Sequence, residues 1–300
     1  MQYIQGHIYT QLLKQFKMHY ILQENVFREQ HYDMLESSLK KLNLPYTKVR
    51  LFPFIDKIVA LEDIPEDNDF NADDLPEFNP PDTHCFAFGA VKMARISADR
   101  AWFPGSMMND NHDFMVYKDH YKENLLNFDS KICKVKDSID WLPNEIKFIR
   151  PTKDSKAFNG NTFNQHEWED GVEHNLHNYK GKVFNEDTLI QVSTVKKIYQ
   201  EIRCWVVNGK VITASNYKIG SNVTYKRVID EEPLQYAQSM VDKFQLNEAF
   251  VIDICETENG WKIVECGCIN CAGFYEADLF KMLIAIEDHF NPIHLLPPNC

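Results

Sequence analysis

The chain has no long apolar run and none of the common short signatures of nucleotide-binding proteins or hydrolases. No segment approaches the roughly 20 apolar residues that span a bilayer, and the N-terminus lacks the apolar core and cleavage site of a secretory signal. The sequence contains no GxxxxGK[ST] loop, no GxGxxG, no kinase-type HRD or DFG, no GxSxG elbow and no HExxH helix. These absences disfavour a membrane protein and the simplest kinase, dehydrogenase and hydrolase interpretations, and they predict a cytoplasmic protein.

Cysteine is also scarce, with 8 in 300 residues, which is too few for a disulfide scaffold. We therefore expect reduced thiols. Three of them, Cys266, Cys268 and Cys271, lie close enough to suggest zinc, but no second CxxC accompanies them. The favoured interpretation is that these cysteines are small apolar side chains that pack around a site.

Composition indicates a globular protein with a substantial core. Hydrophobic residues make up 44% of the chain and aromatic residues 13%, over a length that allows one large or two ordinary domains. The formal net charge of −12 argues against a general nucleic-acid binder. A homodimer is left open.

The order of predicted elements favours an α/β lobe followed by an α+β region with mostly antiparallel strands. Residues 1–17 are predicted to form a short amphipathic helix, an extension before Met18. The α/β lobe is assigned to residues 18–142. Within it, residues 62–82 hold nine acids, four prolines and no Lys or Arg, which predicts a solvated, mobile loop. The α+β region is assigned to residues 143–300.

Two apolar strands joined by Asn259-Gly260 each carry an internal acid, Asp253 and Glu265. Carboxylates are rarely buried in strands unless they are paired or bound to a metal. A strict two-residue loop would place these acids on opposite faces, whereas a three-residue loop with left-handed Gly260 would place them directly opposite each other. In that second register like charges face one another, which favours a bound cation such as Mg²⁺. An edge hairpin with solvated acids is the alternative.

Basic residues precede this acidic pair in predicted strands and loops. Arg203 lies in a strand between Ile202 and Cys204 and therefore needs an anionic partner, either a structural carboxylate or a phosphate. Together these cations could neutralise a triphosphate while the two acids hold its Mg²⁺, as phosphoryl transfer requires. The cations concerned are Arg150, Lys156, Arg203 and Lys218.

Several segments, taken in order, resemble the ATP-grasp superfamily, in the clade with a two-arginine, one-lysine signature. The segments are FIRPTKDSKAFNG, EIRCWVVNGKVITASNY and VIDICETENGWKIVECGCINCAGFYEADL, preceded by HYILQENVF, CFAFGA and WFPG. The resemblance extends from about Met18 to about Ile286.

The resemblance implies an ATP-grasp fold, in which a pre-ATP-grasp α/β lobe precedes two α+β subdomains that clamp ATP. It implies an ATP- and Mg²⁺-dependent ligase that activates a carboxylate as an acylphosphate, which an amine or similar nucleophile attacks. The implied partners are ATP and a small molecule or peptide with a carboxylate. The alternative is a catalytically weak regulatory or interaction protein, which binds ATP without chemistry or engages a basic partner through the acidic loop.

The resemblance also assigns roles to individual residues. Catalytic roles fall to Arg203 at the transferring phosphate and to Lys156 in the loop that covers the phosphates. Nucleotide contacts are assigned to Arg150, Lys218, the adenine hinge at Gln191 and Val192, and Glu201 at the ribose. Mg²⁺ ligands are assigned to Asp253 and Glu265.

One position departs from the family pattern. The usual Glu-x-Asn motif would place asparagine at position 267, where this chain has Gly267. The nearest amide is Asn270, which is predicted to serve as the replacement ligand. A water could instead fill that position, or metal binding could be weakened.

Overall fold

The computed structural model describes residues 17–25, 32–52, 54–66, 69–81, 84–153, 158–178, 180 and 184–291. The helix predicted for residues 1–17 lies outside these ranges apart from Lys17. The Lys17 amine donates hydrogen bonds to the main-chain oxygens of Leu42 and Asn43, at 3.2 and 2.7 Å.

The first lobe is a five-stranded sheet with helices, as the sequence predicts. Its elements are β1 (His19–Gln23), α1 (Tyr32–Leu42), β2 (Tyr46–Phe52), β3 (Lys57–Ala60), β4 (His84–Phe88), α2 (Val91–Asp99) and β5 (Phe103–Gly105). The strand order is β3-β2-β1-β4-β5, with β1 parallel to both β2 and β4. Because both faces of β1 are covered, Tyr20, Ile21 and Leu22 are fully buried, which explains the continuous apolar run in its sequence.

The acidic segment at 62–82 differs from the expectation of a solvated, mobile loop. Phe78 is buried, and its ring packs edge-on against Trp102 with centroids 6.3 Å apart. Its amide donates to the Ile58 oxygen at 2.7 Å, so the segment follows the outer edge of β3. Glu77 forms an ion pair with Arg100. The prediction is wrong for this part of the segment, because a single buried aromatic outweighs the surrounding charge.

Two further sheets follow. The four-stranded sheet has the order β6-β9-β7-β8, and the five-stranded sheet has the order β12-β11-β10-β13-β14. The elements of this region are α3 (Phe114–Tyr121), β6 (Lys131–Lys134), β7 (Lys147–Pro151), β8 (Asn161–Phe163), α4 (Gln165–Asn178), β9 (Leu189–Thr194), β10 (Gln200–Val207), β11 (Lys210–Ile219), β12 (Asn222–Arg227), α5 (Glu231–Lys243), β13 (Ala249–Thr257), β14 (Gly260–Gly267) and α6 (Leu279–Phe290). All pairs in these two sheets are antiparallel, as predicted.

The change from one sheet to the next comes after β5 and not after residue 142. β6 pairs with β9 in the four-stranded sheet, with Ile132 opposite Gln191. The α3 residues Phe114 and Tyr117 belong to a core cluster beneath the second five-stranded sheet. The predicted boundary therefore lies too far along the chain, since Pro143-Asn144 marks a turn within this region.

The second five-stranded sheet lies between two apolar layers. One face packs with α3 and α5, and its core includes Cys204, Val206 and Phe250. The opposite face packs with α6 and with the first lobe, and its core includes Trp205 and Val251. Alternate residues of β10 thus enter different cores, as strand geometry requires. Among the described residues, no helix combines the length and hydropathy needed to cross a membrane.

The β13–β14 hairpin places Asp253 directly opposite Glu265, in the predicted register. The predicted three-residue loop is wrong, however, because Thr257 pairs with Gly260 across a two-residue loop. The extra residue is Val264, at a register shift next to Asp253. Gly260 does have a left-handed φ of 83°. The bulge that aligns the two acids is therefore beside them and not in the turn.

Asn270 ties the second sheet to the first lobe. Its side-chain amide donates to the main-chain oxygens of Ala87 and Gly105, and its Oδ1 accepts from the Met107 amide at 2.7 Å. Its own main-chain oxygen accepts from the Gly89 amide at 2.9 Å. Only 1% of Asn270 is exposed. A metal-ligand role does not fit an amide whose oxygen is buried and already bonded, so Asn270 is a structural connection.

We predict that Asn270→Ala lowers the free energy of unfolding by about 2–3 kcal/mol, because it leaves buried main-chain groups without partners. Urea denaturation without Mg²⁺ measures this loss. The control is Asn222→Ala, since Asn222 is exposed. Unchanged stability together with weaker Mg²⁺-dependent ATP binding would instead restore the metal role.

Candidate functional site

A cleft of about 560 Å³ separates the four-stranded sheet from the second five-stranded sheet. It receives side chains from both sheets and from the segment between them. Its lining includes Arg150, Thr194, Val195, Lys196, Ile198, Glu201, Tyr217, Lys218, Val264 and Glu265.

Cations and carboxylates from different strands are paired at this cleft. Arg150, at the end of β7, forms an ion pair with Glu265 of β14. Lys218 of β11 pairs with Glu201 of β10 at 3.2 Å. Four of the predicted site residues are therefore brought together at the cleft.

Arg203 and Asp253 form a buried ion pair in the middle of the five-stranded sheet. The two residues are cross-strand partners, and Nε and Nη2 of Arg203 each lie 2.8 Å from a carboxylate oxygen of Asp253. Arg203 Nη2 is also 3.9 Å from Oε1 of Glu265. Of the two partners considered for Arg203, this structure shows the carboxylate. The pair lies next to the cleft carboxylate Glu265, which is the cross-strand partner of Asp253.

Burial dominates the electrostatics of the pair. It raises the pKa of Asp253, and the Arg203 guanidinium opposes that shift while Glu265 adds to it. Burial works against the charge of Arg203, but the charge of Asp253 and its hydrogen bonds, with Tyr275 and Glu265, together outweigh it, so that the pKa of Arg203 rises well above its usual value. Neither side chain is stable as an isolated charge here.

The predicted adenine hinge falls within a strand and not in the connection that lines the cleft. Gln191 and Val192 lie inside β9, which pairs with β6 on one side and β7 on the other, so their main-chain groups are already used by the sheet. Only 2% of Gln191 is exposed. The segment that lines the cleft begins with Thr194, three residues beyond Gln191, and connects β9 to β10.

Two other predicted site residues, Lys156 and Asn270, are not found at the cleft among the described residues. Lys156 lies outside the described residues. Asn270 contacts the first lobe and not the cleft, as described above. Among the described residues, no cluster of three or more His, Cys, Asp or Glu side chains could hold a metal ion by itself. Asp253 and Glu265 are oxygen donors that would fit Mg²⁺ only with additional ligands, such as phosphate oxygens.

Sequence reasoning missed the aromatic part of the site. The hydroxyl of Tyr217 donates to Glu201 Oε2 at 2.9 Å, and burial raises the pKa of Tyr217 well above its usual value. The Arg203 guanidinium carbon lies 5.0 Å from the ring centroid of Tyr275 and 5.8 Å from that of Tyr217. One signal for Tyr217 was available. Ser215 is the cross-strand partner of Arg203, and Tyr217, two residues further along the strand, lies on the same face of the sheet.

A family model matches residues 91–286, and its description is an ATP-grasp domain of family 3 in the two-arginine, one-lysine clade. The chain belongs to this ATP-grasp family. The match includes the cleft and the Arg203–Asp253 pair, and it begins in α2 of the first lobe. Comparison with curated proteins gives no match.

Two solved structures align with more than nine-tenths of the chain. The D-alanine-D-alanine ligase from Coxiella burnetii aligns with a TM-score of 0.59 at 13% identity, covering 93% of this chain and 95% of that one. A RimK domain ATP-grasp protein from Sphaerobacter thermophilus aligns with a TM-score of 0.53 at 13% identity, covering 91% and 99%. At this identity the likeness establishes the fold, which confirms the architecture predicted from the sequence.

We predict that Arg203→Met costs about 3–5 kcal/mol of stability at neutral pH, because it leaves Asp253 buried without its cation. The remaining influences, namely burial, Glu265 and Glu201, all raise the pKa of Asp253. In the variant the native state then keeps a proton that the unfolded chain has lost. The deficit relative to the wild type therefore grows as the pH rises from the pKa of Asp253 in the unfolded chain to its raised pKa in the folded variant.

Urea denaturation at about pH 5 and about pH 8 measures this deficit, with wild type at each pH as reference. The double variant Arg203→Met/Asp253→Asn removes the carboxylate, so its deficit is expected to be smaller and independent of pH. An Arg203→Met deficit of the same size at both pH values would contradict the proposed cause.

Proposed function

We propose that this ATP-grasp protein is an ATP- and Mg²⁺-dependent ligase that activates a carboxylate as an acylphosphate. The observation that carries the proposal is the cleft between two antiparallel sheets, at which Arg150, Glu201, Lys218 and Glu265 converge beside the Arg203–Asp253 pair. Membership in the ATP-grasp family supports it. So does the activity named for one structural neighbour, a D-alanine-D-alanine ligase.

Charge balance explains how the cleft would accept a nucleotide. Within the described residues, the two arginines are paired with Asp253 and Glu265. If phosphate oxygens accept hydrogen bonds from Arg150 and from Nη1 of Arg203, Glu265 loses its cation, while Asp253 keeps its bonds to Nε and Nη2 of Arg203. Mg²⁺ would then be held by Glu265 and Asp253 together with phosphate oxygens, and it would supply neutralisation of charge.

The remaining groups have distinct tasks in this proposal. Arg203 and Arg150 bind and orient the phosphate that is transferred, since phosphoryl transfer depends on positioning and charge stabilisation. Glu201 accepts a hydrogen bond from a ribose hydroxyl. The substrate carboxylate attacks the γ-phosphorus and ADP leaves. The amine then attacks the acyl carbon and releases phosphate.

The first test is Glu265→Gln. We expect ADP release with candidate carboxylate and amine substrates to fall by about 100-fold, the scale of losing one charge-stabilising group at a reaction centre. The matched control is Glu258→Gln, an exposed acid on the turn of the same hairpin, which should keep the wild-type rate. Equal rates in wild type and Glu265→Gln would refute the proposal.

The ribose assignment has its own test. Wild type should bind ATP about tenfold more tightly than its 2′-deoxy or its 3′-deoxy analogue, the value of one hydrogen bond to a charged group. Glu201→Ala should lose that preference. Glu256→Ala serves as control, because Glu256 pairs with the side chain of Gln200 instead. A preference that survives in Glu201→Ala would rule out this role.

A second candidate is a protein that binds ATP without turnover. Gly267 offers no ligand atom, and the amide of Asn270 is already bonded to the first lobe. Calorimetry that shows ATP binding, with no ADP release on any acceptor, would favour this candidate. Gain of Mg²⁺-dependent ATP affinity in Gly267→Asn would identify the missing ligand as the cause.

A further inference from the structure

Tyr275 has a backbone conformation that its residue type rarely adopts. Its φ is 49°, in the left-handed region, within the segment between β14 and α6. For a residue with a bulky side chain this conformation costs about 1–2 kcal/mol and persists only where the surroundings enforce it. The contacts of the ring are among the surroundings that can hold it.

The ring of Tyr275 is in contact with other aromatic rings on several sides. It stacks on Tyr217 with centroids 5.3 Å apart and on Tyr225 with centroids 5.1 Å apart. Trp205 approaches edge-on at 6.3 Å. The Arg203 guanidinium joins this aromatic cluster, with its carbon 5.0 Å from the Tyr275 centroid.

Two contacts therefore limit the orientation of Arg203. Asp253 binds the edge formed by Nε and Nη2, and Tyr275 approaches the guanidinium as a cation–π partner. The bonds to Asp253 leave the Nη1 amino group available to a further acceptor. A planar guanidinium held in this way presents its remaining donors in a fixed direction.

We propose that Tyr275 is a positioning residue, which holds Arg203 so that its remaining donors meet the phosphate that is transferred. The inference rests on the proposed function. Tyr217 contacts the same guanidinium but also binds Glu201, so its loss would disturb the nucleotide in two ways. Tyr275 meets the guanidinium through the ring, which also stacks on Tyr217. An effect of its removal through Tyr217 and Glu201 would weaken both nucleotides equally, whereas an effect through Arg203 would weaken the triphosphate alone.

The test compares calorimetric affinities for ADP and for a nonhydrolysable ATP analogue, both with Mg²⁺. Wild type should bind the triphosphate more tightly than ADP. In Tyr275→Leu this preference should fall about fivefold, the size of one cation–π contact, while ADP affinity stays within about twofold. Tyr275→Phe keeps the ring and separates its contribution from that of the hydroxyl, so this variant should retain the triphosphate preference.

Tyr275→Gly is a second variant that separates loss of the ring from destabilisation of the fold. Glycine suits the positive φ, so this variant removes the ring and relieves the backbone strain together. It should lose the triphosphate preference as Tyr275→Leu does. Equal weakening of both nucleotides, or an unchanged preference in the Leu and Gly variants, would overturn the role of Tyr275 and leave the proposed function intact. A wild type that does not distinguish the two nucleotides would overturn the phosphate assignment of Arg203 itself.

Discussion

The bidentate ion pair between Arg203 and Asp253 is the constraint on which the rest of the structure depends. Two charges lie in the centre of a five-stranded sheet, and each is tolerable there only because the other is present. The two residues face each other in the register of β10 against β13, and the bulge at Val264 then aligns Glu265 with Asp253. Core packing on both faces of the sheet shields the pair from water, while Glu265 beside it lines the cleft.

The hairpin register could be predicted because it rests on local chemistry. Two acids in apolar strands separated by a glycine turn admit few arrangements, and the arrangement with the acids facing each other is the observed one. The location of the extra residue could not be predicted in the same way. One extra residue in β14 shifts its pairing with β13 by one position. Whether that residue lies in the turn or at Val264, Asp253 has the same partner, Glu265.

Other features were missed because their causes are distant in the sequence. Asn270 is bonded to residues more than 160 positions earlier, and no local pattern marks such a connection. The sequence predicts the adenine hinge at Gln191, which lies inside a strand of the structure. The end of this strand is hard to locate from sequence because β9 continues into an extended connection. The contact of Tyr275 with Arg203 depends on a loop folding back over the sheet.

In the proposed function, the pairing of Arg150 and Arg203 with carboxylates would affect which form of nucleotide the protein accepts. With a formal net charge of −12, the protein repels a highly charged anion at long range, and these guanidinium groups are already neutralised at short range. An uncomplexed triphosphate would have to enter against that field and also displace the ion pair between Arg150 and Glu265. A triphosphate that brings its own divalent cation would exchange partners without leaving Glu265 uncompensated. A cleft of this kind would discriminate between the free anion and its metal complex before any chemistry begins.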